Sequence, residues 1–140
     1  MDTRNRSGER TPIGSLVLVL HSHLPYVLTH GRWPHGLDWL NEAAAETYIP
    51  LLNVFNALVE EGHSPKLTIG ITPVLAEQLA DDFFKQEFLS YLEAKIEAAK
   101  EDKIAFTRTG REGLARTARF WVECIQKSSM TSRRRTGKTS

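Results

Sequence analysis

An uninterrupted apolar run near the N-terminus ends at two histidines. The run is Leu16–Leu20, and the sequence His-Ser-His-Leu-Pro follows directly at 21–25. Consecutive Leu and Val residues predict a strand over 15–22 that is buried on both faces, as in a parallel sheet. Pro25 has no backbone donor, so the strand must end before it.

Apolar positions at helical spacing predict a helix after the loop at 24–37. It starts near Asp38, as an N-cap, and ends at Gly62. Pro50 lies within this pattern and should kink the helix or divide it in two.

A second short strand is predicted at 66–71, and the pair Thr72-Pro73 then predicts the start of another helix. Further apolar stripes predict helices ending near Lys103 and covering Glu112–Lys127. Strand, helix, strand is the order of a right-handed parallel βαβ unit. Since two strands cannot close a barrel, the 140-residue chain is predicted to be the α/β opening of a larger fold.

Composition divides the chain into three parts. Residues 1–14 are polar, which predicts a flexible extension. The apolar patterns lie in 15–127, the predicted folded part. Residues 128–140 are basic and nearly free of apolar side chains, which predicts a disordered tail. The net charge of +1 provides no global field for nucleic acid, and Arg133–Arg135 are expected to be solvated.

The lone cysteine, Cys124, excludes an intrachain disulfide and favours a reducing compartment. The five-residue apolar run is too short for a signal peptide or a membrane span. We therefore expect a cytoplasmic protein with no membrane partner.

His21 and His23 are the first candidate site residues, because α/β proteins bind ligands at the carboxyl ends of parallel strands. Residues two apart on a strand share a face. Three roles remain open: hydrogen bonding to a ligand, binding a metal, or tying the loop to the strand end. No Cys pair or HExxH motif supports zinc, so metal binding is the least favoured of the three roles.

Trp33 and Trp39 are the second pair of candidates. They lie in and just after a long loop rich in Pro, Gly, His and aromatic residues, and loops of this length are usually functional or mobile. Aromatic rings in a cleft can stack on sugar rings. The alternative for Trp39 is that it packs the start of the helix onto the core.

Several segments together resemble the start of glycoside hydrolase family 57, in particular its 1,4-α-glucan branching enzyme group. The resemblance extends over roughly 15–125. The segments that carry it are His21–Val27, His30–Pro34, Asp38–Ala43, Ala45–Leu52 and Thr68–Leu79.

The resemblance implies an incomplete (β/α)7 barrel that acts on α-1,4-glucans with retention, by two carboxylates. It also implies that no metal and no cofactor take part. It implies that His21 and His23 bind sugar at the cleavage subsite, and that Trp33 and Trp39 line the cleft. The family's catalytic glutamate and aspartate belong to later segments that have no counterpart here. We therefore expect no catalytic residue in this chain.

The resulting hypothesis is an N-terminal fragment of a branching-type enzyme. Such a fragment would be inactive alone and prone to self-association through exposed barrel edges. The rival hypothesis is a non-catalytic glucan-binding or interaction module.

Overall fold

The structure, a computed structural model, describes residues 13–136. Of the predicted extension at 1–14, only Ile13 and Gly14 lie within the described residues, and they have no regular structure. The elements in chain order are β1 (Val19–Ser22), α1 (Leu37–Ala43), a π-helical turn (Ala44–Tyr48), α2 (Ile49–Glu60), β2 (Thr68–Ile71), α3 (Pro73–Ala80), α4 (Asp82–Arg108) and α5 (Glu112–Thr136).

The two strands form the predicted parallel pair. Their register places Val19 opposite Thr68 and Ser22 opposite Ile71. Because the strands run in the same direction, His21 and Ser22 lie at the same edge of the sheet as the end of β2. This edge carries the candidate histidines.

The prediction that the first strand is buried on both faces is wrong for this chain. Leu16 is 95% exposed, Val17 78% and Val19 63%, and the strand has four residues. A strand is buried on both faces only when layers cover both sides of its sheet. In the described range 13–136, the helices pack mainly on one another, and much of the two-stranded sheet stays exposed.

The predicted interruption at Pro50 is confirmed. A five-residue π-helical turn separates α1 from α2, and Pro50 lies in the first turn of α2. Proline cannot donate the hydrogen bond that would close the preceding turn, so the regular α-helical ladder is broken there. Gly62 follows the end of α2 with φ +83, a left-handed conformation that glycine adopts without strain.

The core lies between α1, α3, α4 and the segment that follows β1. Leu40, Leu75 and Leu92 are fully buried at its centre, one from each helix. Leu24 and Val27 reach the same cluster from the segment after the histidines. The residues that position the candidate site are therefore part of the core.

The structure differs from the predicted tail at 128–140, because α5 continues through Thr136. Ser128 and Ser129 are buried, the Thr131 hydroxyl donates to Asn53 Oδ1 at 2.9 Å, and the Arg133 guanidinium donates to Glu93 at 2.6 Å. These partners on α2 and α4 stabilise a polar helical turn that composition alone assigned to disorder. Residues 137–140 lie outside the described range.

Among residues 13–136, no helix is both long and apolar enough to cross a membrane.

Tyr91 provides a pH-dependent test of the packing of α4. Burial, together with the carboxylates of Glu42, Glu46 and Asp38, raises the pKa of Tyr91 to about 12. In the unfolded chain the phenol ionises near pH 10, so the unfolded state releases its proton first. The contribution of the protonated Tyr91 to stability is therefore complete below about pH 10 and is lost as the pH rises toward 12. We expect Tyr91→Phe to lose less stability than the unmodified chain over this interval, measured as urea midpoints at pH 9, 10.5 and 11.5. If the midpoints of both proteins fall equally with pH, the described burial of Tyr91 on α4 is contradicted.

Candidate functional site

The two histidines lie together at the carboxyl end of β1. His21 is within the strand and His23 is the residue after it. Both side chains are exposed, and their rings are stacked with centroids 6.4 Å apart and planes 14° apart. The predicted placement on one open edge of the sheet is confirmed.

Gly70 gives the ring of His21 room to lie against the neighbouring strand. It is the register partner of His21, and a Cβ built on it would lie 3.1 Å from His21 Nδ1. That distance is closer than ordinary van der Waals contact. Sequence reasoning missed this role, although a glycine inside a strand is a signal of close approach.

The end of β1 is hydrogen-bonded to the residue that follows β2. The Ser22 carbonyl accepts a hydrogen bond from the Thr72 backbone N–H at 3.3 Å. Burial raises the pKa of Tyr48, in the π-helical turn, and the neighbouring Ser22 side chain opposes this shift. Ser22, between the two histidines, is thus held through its backbone carbonyl.

The predicted cap at Thr72 is only partly confirmed. Thr72 directly precedes Pro73, the first residue of α3, but its hydroxyl makes no capping hydrogen bond. Its Oγ1 is buried and has no partner among the described residues.

Gln78 holds the segment that follows the histidines. Its side chain is 1% exposed, its Oε1 accepts a hydrogen bond from the Val27 N–H at 2.7 Å, and its Nε2 donates to the Pro25 carbonyl at 3.0 Å. Leu24 and Val27 are buried on either side of these contacts. Sequence reasoning missed Gln78, because no local pattern shows that a helical glutamine meets a loop about fifty residues earlier.

The loop before α1 folds back on itself at two glycines. A Cβ on Gly36 would lie 2.2 Å from the Gly31 carbonyl oxygen, so only glycine fits there. The Leu37 N–H donates to Gly31 at 2.8 Å, and the Asp38 N–H donates to Arg32 at 3.2 Å. The helix begins at Leu37, so Asp38 lies in its first turn and is not the predicted N-cap.

Arg32 fastens this loop to α4. Its guanidinium lies 2.5 Å from a Glu87 carboxylate oxygen and 3.6 Å from Asp38 Oδ1. Trp33, the next residue, is 74% exposed. A held backbone with an exposed indole is suited to contact with a ligand.

Trp39 remains 40% exposed, and its ring lies 5.4 Å from that of His35. Its contact is thus with a loop histidine, and much of its surface is open. Among the ring contacts of the described residues, none joins Trp33 or Trp39 to the His21–His23 pair.

Two further observations bear on the chemistry available. Within residues 13–136, no group of three or more His, Cys, Asp or Glu side chains is placed to hold a metal ion. A separate groove of about 720 Å³ lies between α2, α4 and α5. Trp121 and Cys124 line it, and the candidate histidines do not.

The chain belongs to glycosyl hydrolase family 57. The family's sequence profile matches residues 17–124, which include both strands and all four candidate site residues. This confirms the resemblance seen in the segments around the histidines and tryptophans.

Curated relatives are named as branching enzymes. The chain is 51% identical over 89 residues to "1,4-alpha-glucan branching enzyme TK1436" of Thermococcus kodakarensis, covering 64% of this chain and 13% of that protein. It is 46% identical over 79 residues to a probable 1,4-alpha-glucan branching enzyme of Mycobacterium tuberculosis, covering 56% of this chain and 15% of the relative. The chain thus spans a small N-terminal part of these proteins.

Solved structures similar to this chain include two GH57 branching enzymes and an alpha-amylase. The chain superposes with a TM-score of 0.82 and 42% identity on a GH57-type branching enzyme from Pyrococcus horikoshii, covering 89% of this chain and 23% of that one. With the T. kodakaraensis branching enzyme, solved in complex with glucose, the TM-score is 0.64 and the sequence identity is 38%, covering 87% of this chain and 23% of that one. With the alpha-amylase AmyC of Thermotoga maritima, the TM-score is 0.73 and the sequence identity is 32%, covering 86% of this chain and 23% of that one.

Proposed function

We propose that this chain forms the sugar-binding N-terminal part of an α-1,4-glucan site of the branching-enzyme type. His21 and His23 donate and accept hydrogen bonds with sugar hydroxyls, and Trp33 and Trp39 stack on sugar rings. One observation carries the proposal: an exposed, stacked pair of histidines at the carboxyl edge of a parallel sheet. The pair lies within residues 17–124, which match the family's profile, and curated relatives of the chain are named for 1,4-α-glucan branching.

The way the site is held supports binding. Ser22 is fixed between the histidines, and Arg32 anchors the backbone beside Trp33. A ligand therefore meets side chains on a backbone that is already ordered, which lowers the entropy cost of binding. Hydroxyl-rich ligands with apolar ring faces match this mixture of imidazoles and indoles.

The proposal assigns no catalytic residue to this chain. Retaining glycosidases use two carboxyl groups about 5–5.5 Å apart, one as nucleophile and one as acid/base. By resemblance to the family, these groups belong to segments beyond the matched region. The proposed parent fold is an incomplete (β/α)7 barrel with β1 and β2 as two of its strands. We further propose a cytoplasmic location, as the lone Cys124 suggests.

The isolated chain is expected to show no branching or hydrolytic activity. Without both carboxylates the covalent route is closed, so the rate should fall to that of the uncatalysed reaction. The measurement is incubation with amylose, followed by debranching and chain-length analysis, with a full-length relative as the positive control. New α-1,6 linkages from the pure chain would contradict the assignment.

Binding is tested separately by titrating tryptophan fluorescence with maltoheptaose. Trp33→Ala should reduce the affinity at least about fivefold, since ring stacking is worth on the order of 1 kcal/mol. Trp121→Ala is the matched control, because Trp121 is also exposed but lies in the separate groove. Equal effects of the two substitutions would refute the proposed site.

A further inference from the structure

We propose that Tyr26 is a further sugar-contacting side chain and that Gln78 is its positioning residue. This inference rests on the proposed function, which it deepens by adding a third aromatic group to the glucan site. It depends on one arrangement, in which a single buried amide bonds to the backbone on both sides of one exposed tyrosine.

The two hydrogen bonds of Gln78 flank Tyr26. Nε2 donates to the carbonyl of Pro25, the residue before it, and Oε1 accepts from the N–H of Val27, the residue after it. Both the donor and the acceptor of the amide are therefore used on one short stretch of backbone. Gln78 is 1% exposed, so its amide is shielded from solvent, and its bond to Val27 is buried.

The burial pattern of the segment directs Tyr26 outward. Leu24 and Val27 are 4% and 2% exposed and belong to the core, whereas Tyr26 is 49% exposed. Its ring meets that of His30 edge-on, with centroids 6.3 Å apart. A half-exposed phenol on a fixed backbone offers a ring face and a hydroxyl at low entropy cost.

The same structural unit fixes His23. Thr72, which precedes α3, holds the Ser22 carbonyl, and Gln78 on α3 holds Pro25 and Val27. His23 and Tyr26 thus lie on one stretch of chain that is attached to α3 at both ends. They are three positions apart in the sequence, at most about 11 Å of backbone, so a maltooligosaccharide bound at His23 can also reach Tyr26.

Glucan affinity of single variants of the full chain tests the contact itself. Tyr26→Ala should weaken maltoheptaose binding about five- to tenfold, and Tyr26→Phe, which keeps the ring, should stay within about threefold. Phe83→Ala removes another exposed aromatic, on α4, and should leave the affinity unchanged. Unchanged affinity in Tyr26→Ala would overturn the inference.

A double-mutant cycle tests the positioning role. Gln78→Leu should weaken binding by about as much as Tyr26→Ala, and combining the two should add little, because both remove the same contact. Losses that multiply would show that Gln78 does not act through Tyr26. Affinities are compared at a temperature where circular dichroism shows every variant folded, and Gln86→Leu on the exposed face of α4 is the control.

A readout that needs no glucan is the NMR contact between the Tyr26 and His30 rings. Gln78→Leu should abolish this nuclear Overhauser effect, whereas Gln86→Leu should retain it. If Gln78→Leu does not fold, Gln78→Met replaces it: the thioether keeps the length of the side chain but cannot donate to Pro25, so the effect should weaken. Its persistence at full strength would overturn the positioning role.

The outcomes separate the two proposals. If the unmodified chain binds no maltoheptaose, the proposed function fails, and the Tyr26–sugar contact fails with it. If the chain binds and Trp33→Ala weakens binding while Tyr26→Ala does not, the proposed function stands and only this inference is rejected.

Discussion

Replacing Leu75 with alanine is expected to lower the free energy of unfolding by about 2–5 kcal/mol. Leu75 is fully buried on α3, within the cluster that joins α1, α4 and the segment after β1. The substitution removes apolar contacts and leaves a cavity in a core that small shifts cannot refill. Because small domains are stable by only about 5–15 kcal/mol, the loss is a large part of the total.

Urea unfolding followed by circular dichroism measures this effect. Val74→Ala is the matched control, since Val74 precedes Leu75 on the same helix and is 46% exposed. Its change should stay below about 1 kcal/mol. Equal shifts of the two midpoints would contradict the described core.

Self-association is the second large effect expected, through the exposed apolar surface of β1. Unpaired strand edges and contiguous apolar side chains favour pairing with another chain. Leu16, Val17 and Val19 provide such a surface next to a two-stranded sheet. A lysine here should oppose pairing by charge and desolvation, so we expect Val19→Lys to raise the dissociation constant at least about tenfold.

Sedimentation velocity over a range of concentrations tests this expectation. Val59→Lys is the control, because Val59 has a similar exposure, 60% against 63% for Val19, but lies on α2. A chain that is monomeric at every concentration, or equal effects of the two lysines, would contradict a role of the strand edge.

Local signals in the sequence were sufficient for much of the fold. The pairing of the two strands, the interruption at Pro50 and the helix end at Gly62 were all predicted, and all are observed. The strand pairing follows from the order strand, helix, strand, whereas the helix interruption and the helix end each depend on the backbone chemistry of one residue.

Features that depend on distant partners were not predictable in this way. Apolar residues of β1 indicated burial, but burial needs covering layers that the pattern of one strand does not reveal. The last turns of α5 were assigned to disorder from composition, whereas Thr131 and Arg133 find partners on α2 and α4. Polar residues form stable helices when tertiary contacts satisfy them.

The candidate site shows the same division. The placement of His21 and His23 followed from a strand that ends before Pro25, and the structure confirms it. Gln78 could not be found from the sequence, because its two hydrogen bonds link residues about fifty positions apart. The assignment of sugar binding to the histidines and tryptophans stays a prediction.

The most direct test of the glucan site is the NMR response of the histidine side chains to maltoheptaose. His63 is an internal control: it lies in the turn after α2 and before β2, away from the carboxyl edge that carries His21 and His23. We expect the imidazole resonances of His21 and His23 to shift in a saturable manner, with a millimolar dissociation constant, about −4 kcal/mol, while His63 does not move. Shifts of His63 equal to those of the pair, or no saturable shift of the pair, would contradict the proposal that this edge of the sheet binds glucan.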